Sequence, residues 1–466
     1  MIYIITKRPE RFKNIKGKLA NFAQLRVFMV FEGEVGLDIE TTGLDPLTDS
    51  INSIQIGNEE NQFYIDYDPS MSKEVSKILS IPLTYVIQNA KFDTSFIIWH
   101  FRTVLHRVFD TMLAEEVLMM GYNRAQFNLE FLTKKYLGEQ LDKSSNLQSK
   151  VMRGIISNEV LNYACSDVRV LIPICKIQTE LLLKEGSYRA ADLENKFVQA
   201  LAYTQLSGIY LDTKLWEDKC TQDDKNLKEA ETALNEWVLS NTSRYNFGDL
   251  AIAQPDLFSP TIRCSILWSS PVQVIKLFKI IGIDTSTVDS ETGDIKDSVE
   301  EKNIIHQAER FDIIPLYIRY KECAKVVSTY GRNVLKHISP ITGRIHTKFR
   351  QLVDTGRLSS GGKDKKAKKE YINLQNIPAD HTRACFTAMP GNKLINADYS
   401  QQEQVIFANR CLDEKLLEFY DSNLGDMHGF IASKIFPEIG DTPLDQIKKK
   451  FPVQRNSAKA AGFAIN

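Results

Sequence analysis

The sequence of 466 residues has few of the features that mark membrane, secreted or disordered proteins. No stretch approaches the roughly 18 consecutive apolar residues of a membrane helix, and glycine and proline, at 23 and 15 residues, are too few for long disorder. The first six residues are apolar before any basic residue, the reverse of a secretory signal. The seven cysteines include no CxxC pair, which argues against a zinc site and for free thiols in the reducing cytoplasm.

Net charge is also almost absent, at −1, but the charges are unevenly distributed. Residues 316–370 contain 14 Lys or Arg and four Asp or Glu, so this segment carries +10 and the rest of the chain −11. Such a basic belt is what binding to a phosphate backbone requires, because affinity comes from counterions displaced locally. The alternative is a solvated surface of helices and loops. Residues 363–369, beside two glycines, are predicted to form a mobile loop.

Hydrophobic patterns predict an α/β first domain followed by a helical region. Short strands are predicted at 35–39, 50–57, 62–66, 85–89, 345–353 and 393–398. Helical patterns dominate residues 110–185 and 190–335. With the usual domain size of about 150 residues, we expect three domains, at residues 1–187, 188–335 and 336–466.

Four acidic residues stand on or beside the predicted elements of the first domain. Asp38 and Glu40 lie two residues apart on a strand, and therefore on one face of it. Asp93 follows a strand-to-helix junction, and Asp167 lies one helical turn after Tyr163. Carboxylates placed together repel one another unless cations lie between them. The set therefore predicts a site for two Mg²⁺ or Mn²⁺ ions that hydrolyses phosphodiesters.

Each of these patterns alone is weak, but their order along the chain is specific. The segment DIETTGLDP at 38–46, an NxxxD at 89–93 and a YxxxD at 163–167 together resemble the proofreading 3′–5′ exonuclease domains. The segment FDTML at 109–113 also matches this class. The resemblance implies metal binding and catalysis by Asp38, Glu40, Asp93 and Asp167 with Tyr163 orienting the attacking water, and substrate contact by Asn89.

The end of the chain carries a second chemical pattern. Arg455, Lys459 and Phe463 are spaced four apart, which places two cations and an aromatic ring on one helix face. Two cations suit a triphosphate and a ring suits a sugar or base, although an amphipathic helix with solvated cations would look the same. Asp398 ends the strand predicted at 393–398, where a metal ligand would be held rigidly.

The clusters TGRLSS at 355–360, NLQNIP at 373–378, DYSQ at 398–401 and RNSAKAAGF at 455–463 resemble, in this order, family A DNA polymerases. Taken alone, the TGRLSS cluster is equally typical of a turn capped by Ser359 or Ser360. The resemblance implies a ribonuclease H-like exonuclease domain, a helical thumb and part of the palm and fingers. It also implies DNA replication as the process, with primer-template, single-stranded 3′ ends and dNTPs as partners.

The resemblance also implies roles for individual residues of the second half. Asp398 would bind two catalytic metal ions, helped by the carbonyl of Tyr399, and Glu403 would exclude a ribose 2′-hydroxyl. The incoming nucleotide would be held by His428, Arg455, Lys459 and Phe463. The primer-template would be contacted by Lys325, Arg344, Arg357, Gln375 and Asn376. The spacer at 361–371 is longer and more basic than is usual in the family, and the family's Ile-Glu-Leu-Arg is replaced by Gln-Glu-Gln-Val at 402–405.

The sequence stops before the family's third motif, a His-Asp-Glu segment that supplies a second metal-binding aspartate. We therefore expect the N-terminal part of a split or interrupted polymerase, completed by a second polypeptide. The alternatives are a stand-alone exonuclease whose polymerase remnant only grips DNA, and a non-catalytic protein that binds primer-template. The short segment before Asp38 leaves no room for a 5′-nuclease domain, which favours a phage-type or organellar form, located in the bacterial cytoplasm if phage-encoded.

Overall fold

The structure is a computed structural model that describes residues 1–122, 126–141, 145–254, 261–288, 292–364, 369–422 and 425–465. The chain forms two compact units, unit 1 at Met1–Pro390 and unit 2 at Gly391–Asn466, and each is described by itself. The three domain boundaries expected from the sequence stay a prediction. In the part of the chain that is described, none of the helices is long and apolar enough to cross a membrane.

The strands of unit 1 are β1 Ile2–Ile5, β2 Lys18–Leu19, β3 Glu34–Thr41, β4 Ile51–Gly57, β5 Gln62–Asp66, β6 Thr84–Ile87, β7 Arg107–Asp110, β8 Tyr210–Leu211, β9 Ala251–Gln254, β10 Thr261–Cys264, β11 Ser286–Val288, β12 Ile295–Asp297, β13 Phe349–Arg350, β14 Ser359–Ser360, β15 Gly362–Asp364, β16 Lys369–Tyr371 and β17 Phe386–Thr387. Its helices are α1 Phe22–Glu32, α2 Ser72–Leu79, α3 Ala90–Phe101, α4 Thr111–Leu118, α5 Leu129–Leu137, α6 Ser145–Met152, α7 Asn158–Lys184, α8 Tyr188–Ser207, α9 Thr213–Ser240, α10 Pro271–Ile281, α11 Glu301–Ile304, α12 Ile313–Tyr330 and α13 His381–Ala384.

A mixed sheet with the order β2-β1-β5-β4-β3-β6-β7 organises the first part of unit 1. β3 pairs antiparallel with β4 and parallel with β6, so it lies within the sheet and not at an edge. Its apolar residues Val35, Leu37 and Ile39 are buried in the main core. The prediction of an α/β first domain is thus confirmed, including strands close to the four predicted before residue 90.

Helix α7 packs against the other face of β3 at very short range. A Cβ atom added to Gly36 would lie 2.6 Å from the carbonyl oxygen of Val168, which is far inside normal contact distance. Because side chains alternate along a strand, Asp38 and Glu40 share the face of Gly36 and are directed toward this helix. The glycine therefore sets how closely α7 approaches the acidic face of β3.

A second core lies between α9, α10 and α12 in the helical region that the sequence predicts. Ala230 and Leu234 of α9 pack with Phe278 of α10 and with Ile314 and Tyr317 of α12. All seven cysteines are free, as the absence of CxxC pairs predicts.

Two expectations for residues 345–371 need correction. The strand predicted at 345–353 is reduced to β13, while Ile345 forms only isolated bridges to Ile209 and Ile338. The mobile loop predicted from the lysines at 363–369 is wrong for its described part, because β15 and β16 pair as an antiparallel hairpin. Lysines are frequent in loops, but a segment that contains them can form a strand when a second segment pairs with it in register. Here Asp364 lies opposite Lys369, and opposite charges across two strands favour their pairing.

Unit 2 consists of the helices α14 Gln402–Cys411, α15 Glu414–Asp421, α16 Met427–Ile435, α17 Leu444–Lys450 and α18 Pro452–Ile465. Ala432, Ile439, Ile447 and Ala458 form its core. The strand predicted at 393–398 is not formed: residues 391–399 are irregular and exposed, and Ile395 is 90% exposed. A short apolar segment becomes a strand only where a neighbouring strand pairs with it, and no described residue pairs with this one.

The contact at Gly36 generates a prediction about stability. Gly36→Ala should lower the free energy of unfolding by about 1–3 kcal/mol, because the new methyl group must displace the backbone of α7 or of β3. Val27→Ala on the exposed face of α1 serves as control and should change it by less than about 0.5 kcal/mol. Urea unfolding followed by circular dichroism measures both, and equal stability of the two variants would show that α7 can move away freely.

Candidate functional site

The buried face of β3 is polar where it meets α7. Asp38 and Glu40 are half-buried there, and their partners in the adjacent strand β4 are Gln55 and Ser53. Both partners are buried, and the Gln55 amide donates a hydrogen bond of 2.8 Å to the Ser53 hydroxyl. The two acids thus lie on a polar surface inside the unit, where ionised carboxylates are poorly screened by water.

Asp93 is brought to the same place by a hydrogen bond. The backbone N–H of Ile39, the residue between Asp38 and Glu40, donates to Asp93 Oδ1 at 3.1 Å. Burial raises the pKa of Asp93 well above its usual range, and the neighbouring charges of Asp110 and Glu40 raise it further, although the Ile39 hydrogen bond opposes this. A carboxyl group in this environment gains most from a nearby cation.

The fourth acid, Asp167, approaches on α7 together with Tyr163. Both side chains are buried and lie one turn apart on the helix, as their spacing predicts. Burial raises the pKa of the Cys165 thiol to about 12, and the charges of Asp167 and Asp38 contribute to this shift. Asp38 and Asp167 belong to β3 and α7, whose backbones meet at Gly36 and Val168. Tyr163 packs against Leu147 of α6.

These four carboxylates fit a divalent cation by the chemistry of their donors. Oxygen ligands are what Mg²⁺ and similar hard cations prefer, and Mg²⁺ usually takes one or two carboxylates with water and substrate phosphates completing its shell. Among the described residues, no group of three or more His, Cys, Asp or Glu side chains is placed to hold a metal ion.

Asp110, which the sequence reading left without a role, fixes the start of α3. Its Oδ1 accepts hydrogen bonds from the backbone of Asn89 at 2.9 Å and of Met112 at 2.8 Å, and its Oδ2 accepts one from Ala90 at 2.7 Å. Asn89 is exposed and has a left-handed backbone with φ of 59°. Burial raises the pKa of Asp110 to about 6, against the effect of these donors. Asp110 therefore orients the helix turn that carries Asp93.

The polymerase-like residues of unit 2 line one cavity of about 1220 Å³. Those that the sequence singles out and the cavity brings together are Asp398, Tyr399, Glu403, His428, Arg455 and Lys459. Asp398 lies in the irregular segment and is not held by a strand. Helix α18 confirms the helical spacing of Arg455 and Lys459, whereas the side chain of Phe463 lies outside the described part of the structure.

Arg455 is already engaged in this cavity. Its Nε and one terminal nitrogen donate to the two carboxylate oxygens of Asp426, at 2.5 and 3.0 Å. Burial opposes the ionisation of Asp426, but the Arg455 hydrogen bonds outweigh it and lower the pKa of the carboxyl. Burial lowers the pKa of His428, with Arg455 and Lys459 adding repulsion and Asp426 opposing. The imidazole is therefore neutral at pH 7 beside two cations.

The two predicted template motifs of unit 1 are joined to each other by hydrogen bonds. The Gln375 side chain donates to the carbonyl of Leu358 at 3.1 Å, and Ser360 donates to the Asn373 side chain at 2.9 Å. The Ser360 hydroxyl therefore contacts the other template motif, whereas the turn interpretation predicts that it caps its own turn. Arg357, Gln375 and Asn376 are all exposed near this junction.

The two remaining residues that are predicted to contact DNA, Lys325 and Arg344, differ in their exposure. Lys325 is exposed on α12. Arg344 is half-buried, and its guanidinium donates to the backbone carbonyl of Ser207 at 3.1 Å, so part of its donor capacity is used inside the protein.

Family comparisons agree with this division of sites. Residues 3–182 match the model of the 3′–5′ exonuclease domain, and residues 260–466 match the model of DNA polymerase family A. Residues 260–466 belong to DNA polymerase family A. The exonuclease domain precedes the polymerase region, in the order that the sequence motifs indicate.

Individual relatives are bacterial DNA polymerases I. That of Pseudomonas aeruginosa is 28% identical over 81% of this chain, and that of Borreliella burgdorferi 27% identical over 92%. The family A chain spans only 38% and 44% of the length of these two relatives. The solved polymerase domain of Pol1 from M. smegmatis, in complex with DNA primer-template and dNTP, shares its fold with a TM-score of 0.68 at 20% identity. That match covers 95% of this chain and 70% of the other.

The structure adds positioning residues that the motifs did not indicate. Asp110 was visible only as part of FDTML, and Asp426 only as the residue beside Met427 and His428. The Gln401 side chain donates to the Gly425 carbonyl at 2.8 Å and accepts from the Met427 backbone at 3.1 Å, which ties the DYSQ motif to the segment before His428. Such contacts between distant segments have no local sequence signal, apart from polar residues in otherwise apolar surroundings.

Asp110 can be tested by a nearly isosteric change. In Asp110→Asn, an amide N–H₂ group would have to face either the Ala90 N–H or the N–H groups of Asn89 and Met112. We expect a loss of about 1–3 kcal/mol in unfolding free energy at pH 8, where the wild-type carboxyl is ionised. The control is Asp68→Asn, another capping aspartate, where the amide oxygen can keep the hydrogen bond from the Ser70 backbone and the change should be nearly neutral. Equal losses in the two variants would contradict the positioning role.

Proposed function

We propose that this family A chain hydrolyses single-stranded DNA from the 3′ end at the four carboxylates of unit 1, as the proofreading activity of a template-directed DNA polymerase. The observation that carries this proposal is the hydrogen bond from Ile39 to Asp93, which joins the third acid to the strand of Asp38 and Glu40. The close approach of α7, which carries Asp167, to Gly36 in the strand of Asp38 also supports it.

In this proposal Asp38, Glu40, Asp93 and Asp167 hold two Mg²⁺ or Mn²⁺ ions, which when bound stabilise the attacking and leaving oxygens of the phosphodiester. The chain's own residues do the rest. Tyr163, one turn before Asp167, orients the attacking water through its phenol group. Asn89, exposed at the start of α3, contacts the terminal nucleotide. Asp110 keeps Asn89 and the first turn of α3 in place.

The decisive variant for the exonuclease is Asp38→Ala. We expect it to lower the rate of 3′-end hydrolysis of a single-stranded oligonucleotide in Mg²⁺ by about a thousandfold or more, because a ligand of the ions is lost. Glu59→Ala, an exposed acid in the turn after β4, is the matched control and should keep the wild-type rate. The products are followed on a denaturing gel, and retained activity in Asp38→Ala would refute the site.

We further propose that unit 2 and the basic belt serve DNA synthesis. Asp398, with the carbonyl of Tyr399, belongs to the site of two catalytic divalent ions, and Glu403 faces the sugar of the incoming dNTP. The triphosphate is held by His428, Arg455 and Lys459, and Phe463 contacts the sugar. The primer-template is contacted by Lys325, Arg344, Arg357, Gln375 and Asn376. The lining of a single cavity by six of these residues supports the proposal.

A second reading, a stand-alone exonuclease with a DNA-binding polymerase remnant, is favoured by one observation. Asp398 lies in an exposed irregular segment, which is a poor support for a catalytic metal ligand. Primer extension by the purified chain distinguishes the readings: incorporation of dNTPs supports synthesis, and DNA binding with hydrolysis but without incorporation supports the remnant.

The nucleotide site can be tested without synthesis by measuring dNTP binding. Arg455→Ala should weaken the binding of a fluorescent dNTP in Mg²⁺ by about 1.5–3 kcal/mol, since a charge-assisted hydrogen bond to phosphate is lost. Lys450→Ala, at the exposed end of α17, is the control for charge alone. If both variants bind the dNTP as the wild type does, Arg455 does not hold the triphosphate.

A further inference from the structure

The hairpin of β15 and β16 occupies a position that links the two activities. It lies in the sequence between Ser360 and Asn373, the junction of the two template motifs. Its base is fixed, because the Gly361 N–H donates to the Lys348 carbonyl at 2.9 Å, and a Cβ on Gly361 would lie 2.7 Å from the Asn373 nitrogen. At its other side it reaches the exonuclease domain, where Lys369 forms an ion pair with Asp45 at 2.9 Å.

The hairpin, the loop after β3 and the start of α3 enclose a cavity of about 360 Å³. Leu44 lies in the loop after β3, the strand of Asp38 and Glu40, and Phe92 immediately precedes Asp93 in α3. The cavity is therefore lined by residues that neighbour three of the four carboxylates in sequence, while the carboxylates themselves do not line it. Lys348 and Tyr371 line the opposite wall.

Only one face of the hairpin is turned toward this cavity. Gly362 pairs with Tyr371, Lys363 with Glu370, and Asp364 with Lys369. Because side chains alternate along a strand, Asp364, Lys369 and Tyr371 share one face, and they line the cavity. Lys363 and Glu370 are on the other face, are exposed and do not line it. The same hairpin therefore offers a cavity-facing lysine and an outward-facing lysine for comparison.

The cavity wall combines cations with aromatic rings. Lys348 and Lys369 are each about half exposed and are paired with Asp364 and Asp45. The aspartates are much less exposed, at 11% and 25%, but an ammonium group has three N–H donors, so donors remain for a phosphate oxygen. The Lys369 ammonium also lies 5.2 Å from the centre of the Tyr371 ring. Positive groups beside aromatic faces are the general means by which proteins hold single-stranded nucleic acid.

We propose that the cavity-facing side of the hairpin holds the single-stranded 3′ segment of DNA on its way from the template motifs to the four carboxylates. Lys348 and Lys369 contact backbone phosphates, and Tyr371 stacks on a base. The inference rests on the proposed exonuclease function but goes beyond it, because it assigns strand guidance to an insertion outside the catalytic site. The hairpin thus affects how a strand of several nucleotides is bound, and not how one bond is broken.

Binding is tested in the full chain carrying Asp38→Ala, which prevents degradation, by fluorescence anisotropy with a 5′-labelled single strand of ten nucleotides. Tyr371→Ala should raise the Kd about tenfold, whereas Tyr371→Phe, which keeps the ring, should leave it unchanged. Lys369→Ala should reduce the slope of log Kd against log salt concentration by about 0.7, the loss of one phosphate contact. Lys363→Ala, on the outward face, should leave both quantities at the wild-type value.

Equal effects of Lys363→Ala and Lys369→Ala would overturn the proposal, because they would indicate general charge and no path along one face. So would an unchanged Kd in Tyr371→Ala. In the chain with Asp38 intact, Tyr371→Ala and Lys369→Ala should raise KM for the ten-nucleotide strand and leave hydrolysis of a dinucleotide unchanged. Absence of any hydrolysis by the wild type would refute the proposed exonuclease, while the binding measurements would still decide the role of the hairpin.

Discussion

The close contact between β3 and α7 at Gly36 is the constraint on which the acidic site depends. Asp38 and Glu40 belong to a strand in the middle of the sheet, and Asp167 belongs to a helix more than a hundred residues later in the chain. A helix separated from the sheet by the usual layer of side chains would hold its carboxylate several ångströms farther away. Here backbone meets backbone, with room for no side chain between Gly36 and Val168. The glycine is thus part of the site without carrying any chemistry.

This closeness has an electrostatic cost that shapes the surroundings. Burial raises the pKa of the Asp93 carboxyl well above its usual range, and repulsion from Asp110 and Glu40 adds to this shift. The protein offsets part of this cost with backbone N–H donors: Ile39 to Asp93, and several to Asp110. Neutral donors lower the energy of a carboxylate without cancelling its charge, so the attraction for a cation is kept.

The sequence could predict those parts of the site that depend on local periodicity. Asp38 with Glu40 follows from the period of two in a strand, and Tyr163 with Asp167 from the turn of a helix, and both pairs are where these periods place them. Asp110 could not be predicted, because its role consists of hydrogen bonds to residues 20 positions away. The pairing of β15 with β16 could not be predicted either, because lysines are typical of loops. The strand predicted at 393–398 is not formed for the opposite reason: the segment is apolar, but no described strand pairs with it.

In the proposed nucleotide cavity of unit 2, the main cation is already paired. Arg455 has a bidentate partner in Asp426. This pair is less than a quarter exposed, so a free guanidinium there would be costly to bury and would adopt many rotamers. Asp426 removes both problems, but a triphosphate must then share the guanidinium with it. Because Arg455 has five N–H donors and Asp426 engages two of its nitrogens, donors remain for phosphate oxygens. The acid therefore orients the arginine for a ligand without excluding that ligand.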